Sequence, residues 1–118
     1  MTFSQIGTCL AFAFLLAAGQ VMFKSAALAM PPIRGLAQLA GALQLPVLWL
    51  ALILYGSATI LWIIILQTVP LSRAYPFAAM GFVLVPAAGV LFFGERLNQG
   101  FVIGLIFIVL GLVFLARA

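Results

Sequence analysis

Lys24 is the residue whose type and position point most directly to chemistry. It interrupts an apolar run that extends from Phe3 to Met30. If this run is a helix ending near Ala29, Lys24 lies about 7.5 Å inside that end, at 1.5 Å per residue. A charge in the centre of a bilayer costs at least ~2.5–3.5 kcal/mol, so such residues tend to face a cavity or a partner. The alternative is that the long stem carries the ammonium out to the interface.

The neighbours of Lys24 favour a cavity. A stripe of small and polar residues recurs around it at helical spacing: Ala13, Ala17, Gln20, Lys24 and Ala27. Such a stripe suits a packed or substrate-facing surface better than one in contact with lipid. The natural ligand of a buried cation is an anion, and we expect a phosphate held by Lys24 and Gln20, with Arg73 as a further contact.

The single carboxylate of the chain, Glu95, follows the third apolar run in a tight turn. A carrier of protons or organic cations usually needs a carboxylate inside a span. No span contains an acid here, so the pattern favours an anionic substrate. Two placements of Glu95 stay open: it pairs with Arg96 in the turn, or it lies near a helix N-terminus, where a negative charge is favoured.

Two further faces carry hydroxyl and aromatic groups that could line a cavity for a sugar or an apolar chain. Their members follow helical spacing. In one run they are Tyr55, Thr59 and Trp62, at i, i+4, i+7, and in the next they are Tyr75, Ala79, Phe82 and Pro86, where the same spacing continues by one more residue. The alternative is that the Trp and Tyr residues anchor the chain at membrane interfaces. Pro86 predicts a kink, which is either a flexing point or a fixed aid to packing.

Composition identifies the elements that must position these residues. Hydrophobic residues make up 68% of the 118 residues and charged residues 5%, where soluble domains have about 45–50% and ~25%. A soluble fold of this size could not cover so much apolar surface. Five scattered basic residues do not form a nucleic-acid-binding face. With one cysteine, one acid and no histidine, we expect no metal site, no cofactor and no enzyme.

Four runs are long enough to cross a bilayer, which takes about 20 residues per helix. They cover residues 3–30, 45–69, 74–93 and 97–116. Because lipid forces backbone groups to pair internally and strand alternation is absent, the predicted fold class is all-α: one transmembrane domain, residues 1–118, built as a four-helix bundle. We expect the first run to be a retained span, since it lacks a basic start and exceeds the roughly 7–15 apolar residues of a signal peptide.

The connections set the topology. Residues 33–44 are either an amphipathic helix at the interface or a connecting loop. Tight connections make consecutive spans antiparallel, with both termini on one side. Which side of the membrane the termini face stays open. Basic residues favour the cytoplasmic side, and they are divided almost evenly, with Arg73 and Arg117 on the side of the termini and Arg34 and Arg96 on the other.

The last span carries a candidate subunit contact. Gly104 and Gly111 lie two turns apart on one face, among Leu, Ile, Phe and Val. Small residues let two helix backbones approach closely in lipid. We interpret this face as a dimer contact, with packing inside one molecule as the alternative.

Four sequence stretches resemble a known group of proteins. They read GQVMFK from Gly19, LQTVPLSRAYP from Leu66, FGERL from Phe93 and GLIFIVLG from Gly104. The chain resembles the drug/metabolite transporter superfamily, which includes the four-span small multidrug resistance proteins and the EamA-type transporters. The Gly-Gln-x-x-x-Lys pattern followed by Ala-Tyr-Pro is most similar to the small flippase subunits for 4-amino-4-deoxy-L-arabinose-phosphoundecaprenol.

The resemblance implies a function, and two alternatives to it stay open. It implies a flippase that moves an anionic, lipid-linked sugar across the bacterial inner membrane, as a homodimer or with a similar small subunit. The multidrug branch has a glutamate in its first span, and Leu16 occupies that place here. The alternatives are an exporter of small polar or cationic compounds and a non-transporting membrane subunit that stabilises a partner.

Overall fold

The computed structural model describes residues 1–118 and contains helices but no strands. The helices in chain order are α1 (Phe3–Ala29), α2 (Leu36–Ala42), α3 (Pro46–Leu66), α4 (Leu71–Ala79), α5 (Gly81–Phe93) and α6 (Gln99–Arg117). Four segments are long and apolar enough to cross a membrane: α1, α3, α4 together with α5, and α6. The predicted fold class, an all-α bundle of four transmembrane helices, is confirmed.

Polar caps and prolines set the helix ends. α1 begins in a capping box, in which Thr2 Oγ1 accepts from the Gln5 N–H at 3.2 Å and Gln5 Oε1 accepts from the Thr2 N–H at 2.9 Å. α6 begins at Gln99, two residues after the start expected from hydrophobicity, because the Asn98 side chain accepts from the Phe101 N–H at 2.8 Å.

The third span begins three residues earlier than the apolar run suggests. Pro70 does not only end the preceding span, because its carbonyl accepts from the Arg73 and Ala74 N–H groups at 3.0 Å and so starts α4. The span is interrupted at Met80, whereas the sequence predicts a kink at Pro86, which lies inside α5. The Met80 N–H is shared between two carbonyls, and Gly81, a poor helix former, follows it.

The segment between the first two spans contains the short helix α2. Of the two alternatives for residues 33–44, an amphipathic helix or a loop, the structure therefore has a helix. The Trp49 indole N–H donates to the Leu43 carbonyl at 2.7 Å, which ties the first turn of α3 to the end of α2. Trp49 is therefore hydrogen-bonded within the protein at the start of its span.

The tightest packing joins α1 to α3 and the start of α4. Its core combines small residues with larger apolar ones: Cys9, Phe12, Ala58, Ile65, Val69 and Ala74. Phe12 stacks on Trp62 with ring centroids 4.7 Å apart. Only 13 of the 118 residues are buried, and none of them belongs to α6. One copy of the chain therefore leaves most of its apolar surface to lipid or to another subunit.

Both termini lie at the same end of the bundle. Met1 and Ala118 line one cavity together with Arg73 of α4. Consecutive spans are antiparallel, so the C-terminal ends of α1 and α5 meet the start of α6 at the opposite end.

Candidate functional site

A cavity of about 630 Å³ lies at the end of the bundle opposite to the termini. Its lining comes from the C-terminal part of α1, the C-terminal part of α5, and residues 95–101, which connect α5 to α6 and begin α6. Seven of its 14 lining residues are hydrophobic. A cavity with an apolar wall and a few convergent polar groups is the usual form of a ligand site.

The polar lining concentrates charge of both signs. Lys24 and Arg96 supply two cations, and Glu95 supplies the one carboxylate. Gln20 and Asn98 add amide groups. Lys24 is an exposed residue that lines the cavity, so a ligand in the cavity can reach its side chain. The cavity can therefore attract an anion while it also presents one acid.

The position of Glu95 is set by two glycines. Gly94 adopts a left-handed conformation, φ 64° and ψ 25°, which turns the chain at the end of α5. The Glu95 N–H then donates to the Gly89 carbonyl at 3.2 Å. A methyl group added at Gly89 would lie 2.6 Å from Oε2 of Glu95, so the carboxylate rests directly on the α5 backbone. Of the two placements that the sequence left open, Glu95 lies near a helix N-terminus, because it shares the cavity with the first turn of α6. Its contact with the α5 backbone was not expected.

The first turn of α6 borders the same cavity. Asn98 both caps this helix and lines the cavity, as does Phe101 one turn later. The unpaired N–H groups of a helix N-terminus carry a partial positive charge. This end of α6 therefore adds to the attraction that Lys24 and Arg96 exert on an anion.

A second, apolar cavity of about 420 Å³ adjoins the first along the seam between α1 and α5. Val21 and Phe93 line both cavities, and the second is otherwise bounded by Ala18, Met22, Ser25 and Phe92. The cavity that contains the charged residues thus borders an apolar groove between α1 and α5. This arrangement can accommodate a charged head group joined to a hydrocarbon chain.

The structure brings together only part of the predicted site. Lys24 and Gln20 share a cavity, as expected from their stripe. Arg73 lies at the other end of the bundle, in a cavity of about 490 Å³ beside the termini. It is therefore not in position to contact the same phosphate as Lys24.

Of the two predicted faces, only Pro86 lines the Lys24 cavity, and the aromatic and hydroxyl residues lie outside its lining. Tyr55 packs edge-on against Phe23, which lines the cavity, with ring centroids 5.6 Å apart. The Thr59 hydroxyl donates to the Tyr55 carbonyl at 3.0 Å within α3. Trp62 lies between Phe12 and Tyr75, whose ring centroid is 6.3 Å away.

The candidate dimer contact, the face of α6 with Gly104 and Gly111, is not covered by any other part of the chain. Gly104 and Gly111 are exposed, and a methyl group added at either would meet no atom within 4 Å. Large apolar side chains flank them on the surface of α6, including Phe107, which is 69% exposed. Neither glycine is needed for packing within a single molecule.

Sequence reasoning missed Glu95, Arg96 and Asn98 as residues of the cavity. A signal was present: antiparallel spans place the turn after α5 at the same membrane side as the end of α1, where Lys24 lies. The turn carries an acid and a base, Glu95 and Arg96, and lies beside the end of the span that contains Lys24. Such a cluster of charged residues could have been predicted as part of the site.

Comparison with known proteins identifies the family. The family model described as Small Multidrug Resistance protein matches residues 32–109. The chain therefore belongs to the Small Multidrug Resistance family, and its helices make it a multi-pass membrane protein. The family match begins after α1, so Lys24 lies outside it.

Among its relatives are proteins named as probable 4-amino-4-deoxy-L-arabinose-phosphoundecaprenol flippase subunit ArnE. The chain is 40% identical to that of Pseudomonas aeruginosa (strain UCBPP-PA14) over 76 residues, 64% of this chain and 66% of the relative. It is 36% identical to that of Enterobacter sp. (strain 638) over 72 residues, 59% of this chain and 67% of the relative. The matched region thus spans about two thirds of these relatives. The resemblance seen in the sequence is confirmed, and no solved structure matches.

Proposed function

We propose that this chain is a subunit of a flippase that moves an anionic, lipid-linked aminosugar across the bacterial inner membrane. The substrate class is a polyprenyl-phosphate glycolipid such as 4-amino-4-deoxy-L-arabinose-phosphoundecaprenol, the compound in the names of the relatives. The observation that carries the proposal is the cavity that contains Lys24 and opens onto an apolar groove.

The phosphate would be held by Lys24 and Arg96, with Gln20 as a hydrogen-bond donor. All three line the cavity, and the N-terminus of α6 borders it. The attraction between a cation and a phosphate grows as the effective dielectric constant falls from ~80 in water toward ~20 near a protein surface. Arg96 adds a planar group that can donate two parallel hydrogen bonds to phosphate oxygens.

The apolar groove explains why the substrate would be a lipid. The polyprenyl chain would leave the cavity past Val21 and Phe93, which line both spaces. The sugar would then occupy the cavity, and the chain would stay in contact with the bilayer. Such movement makes and breaks no covalent bond, so the proposed role is transport and not enzymatic catalysis.

A second subunit completes the proposal. Four spans leave α6 unburied, and a passage for a head group needs walls on all sides. We propose that the face of α6 with Gly104 and Gly111 meets a second copy of this chain or a similar small subunit.

A second candidate function rests on Glu95. Its carboxylate lies in the same cavity, and a carboxylate is what an exporter of small cationic compounds needs. The first candidate is preferred because two cations outnumber this one acid in the cavity.

The test compares Lys24→Met with Lys24→Arg at matched protein levels, in cells that contain the partner subunit. Lys24→Met keeps an apolar stem and removes the charge, so we expect it to abolish most of the lipid-linked aminosugar reaching the outer leaflet. Lys24→Arg keeps the charge in a different shape and should retain part of the activity. Arg34→Gln is the control, because it removes a cation that lies outside the cavity.

Near-normal delivery of the lipid by Lys24→Met would rule out the proposed anion site. Loss of export of small organic cations by Glu95→Gln, with no effect of any variant on the lipid, would support the second candidate instead.

A further inference from the structure

We propose that Glu95 binds the ammonium group of the substrate, so that the cavity recognises a zwitterionic head group. This inference rests on the proposed function and adds a specificity-determining residue to it. Lys24 and Arg96 would hold the phosphate, and Glu95 would hold the protonated amine of the sugar.

Glu95 is available for such a contact. It is the only carboxylate of the chain and lines the cavity that contains both cations. None of the side-chain hydrogen bonds in the structure involves its carboxylate. The acid is thus exposed in the cavity without a hydrogen-bond donor from the protein.

The backbone of Glu95 is held in place at the end of α5. The left-handed turn at Gly94 reverses the chain, and the carboxylate rests on Gly89, which is buried. The Glu95 backbone N–H is held by the Gly89 carbonyl at 3.2 Å. A side chain at position 89 would occupy the space of the carboxylate, since even a methyl group would lie 2.6 Å from Oε2. The absence of a side chain at Gly89 therefore leaves room for the carboxylate against α5.

The charges match the proposed substrate. A phosphodiester carries a negative charge and a sugar amine is protonated near neutral pH, so the head group contains both signs. The cavity presents cations and one acid in the same chamber. A neutral sugar would leave Glu95 unpaired once water is displaced, which penalises a substrate that lacks the amine. Selection for the aminosugar then follows from this one residue.

The experiment uses the protein with its partner subunit in proteoliposomes and two probes. One probe is 4-amino-4-deoxy-L-arabinose-phosphoundecaprenol, and the other is the same lipid with its amine acetylated and therefore neutral. The rate of transfer between leaflets is measured for each, and the ratio of the two rates reports amine selectivity. We expect the unmodified protein to prefer the amine by about tenfold, the factor that a hydrogen bond to a charged group supplies.

Glu95→Gln should bring this ratio close to one, mainly by slowing the amine lipid. Gly89→Ala should lower this ratio as well while the charge of Glu95 is retained, because the added methyl group would lie 2.6 Å from Oε2 and the end of the Glu95 side chain has to move. Gly81→Ala is the matched control on the same helix, since its methyl group would meet no atom within 4 Å. The control should keep the preference of the unmodified protein.

Lys24→Met separates this inference from the proposed function, because it should slow both lipids equally. If Lys24→Met slows both lipids but Glu95→Gln and Gly89→Ala leave the ratio unchanged, the role of Glu95 is overturned and the anion site stands. If Lys24→Met slows neither lipid, the proposed function itself fails. Should Glu95→Gln fold poorly, the Gly89→Ala and Gly81→Ala pair still decides the question.

Discussion

The carboxylate of Glu95 rests on the backbone of Gly89, where an added methyl group would lie 3.0 Å from its Cδ atom. This contact places the one acid of the chain in the same cavity as Lys24, a residue 71 positions earlier in the sequence. It depends on Gly94, whose φ of 64° closes α5 and turns the chain back over its last turns. Gly89 and Gly94 thus together determine where the carboxylate of Glu95 lies.

Gly94→Ala is expected to lower the free energy of unfolding by about 1–2 kcal/mol, because a Cβ crowds the backbone in the left-handed conformation. The measurement is an unfolding titration in detergent, followed by the loss of helix signal. Gly81→Ala serves as the control: Gly81 has no left-handed φ and no close neighbour, so this change should not lower the free energy of unfolding and should raise it by up to about 1 kcal/mol. Equal stability of Gly94→Ala and the unmodified protein would show that another conformation ends α5.

The fold class could be predicted from the sequence because lipid imposes a strong rule. A segment of about 20 apolar residues in a bilayer has to be helical, and prolines and polar residues mark its ends. Local hydrogen bonds explain where two helices start at other residues than the apolar runs suggest. The Pro70 carbonyl starts α4 before the third apolar run, and the side-chain cap of Asn98 starts α6 after the beginning of the fourth. Hydropathy alone does not register such bonds.

The site could be predicted only in part. Helical spacing placed Gln20 and Lys24 on one stripe, and they do share the cavity. Helical spacing does not say which other helix a given face packs against. Tyr75 was therefore expected to line the same cavity as Lys24, whereas its ring lies beside Trp62. The carboxylate of Glu95 reaches the cavity through a backbone reversal at Gly94, and periodicity along a helix carries no information about such a turn.

Gly104→Leu and Gly111→Leu are expected to weaken subunit association, because each adds bulk where two backbones can approach. Both glycines are exposed in one copy of the chain, so the variants should leave the unfolding of the monomer unchanged. Association is measured by native mass spectrometry in mild detergent, with co-purified lipid recorded in the same spectra. Ile106→Leu is the control, since it alters the same exposed helix without adding volume. Undiminished association of both glycine variants would move the subunit contact to another helix.

The two termini are expected on one side of the membrane in every molecule. Met1 and Ala118 line a common cavity, so a cysteine added beside either should react with the same impermeant reagent from the same side. The native Cys9 is fully buried and should give little background. Labelling of both sites partly from each side would indicate that the chain inserts in two orientations. Labelling of the termini from opposite sides within one molecule would contradict the antiparallel order of the spans.

Arg96 and Arg73 are expected to differ in their coupling to Lys24. Arg96 lines the Lys24 cavity, whereas Arg73 lies at the other end of the bundle. Groups that bind one ligand together show coupled losses when both are removed, and distant groups show additive ones. Arg96→Gln should therefore slow transfer of the phosphate lipid about tenfold, and much less when Lys24→Met is already present.

Arg73→Gln in the same two backgrounds is the comparison, and its effect should be equally large with Lys24 or Met at position 24. The measurement is the rate of lipid transfer between leaflets for the single and double variants, at equal amounts of reconstituted protein. Additive losses for Arg96 with Lys24 would mean that they do not hold the same phosphate. Strong coupling of Arg73 with Lys24 would mean that both residues act on the same step of transport, although they lie at opposite ends of the bundle.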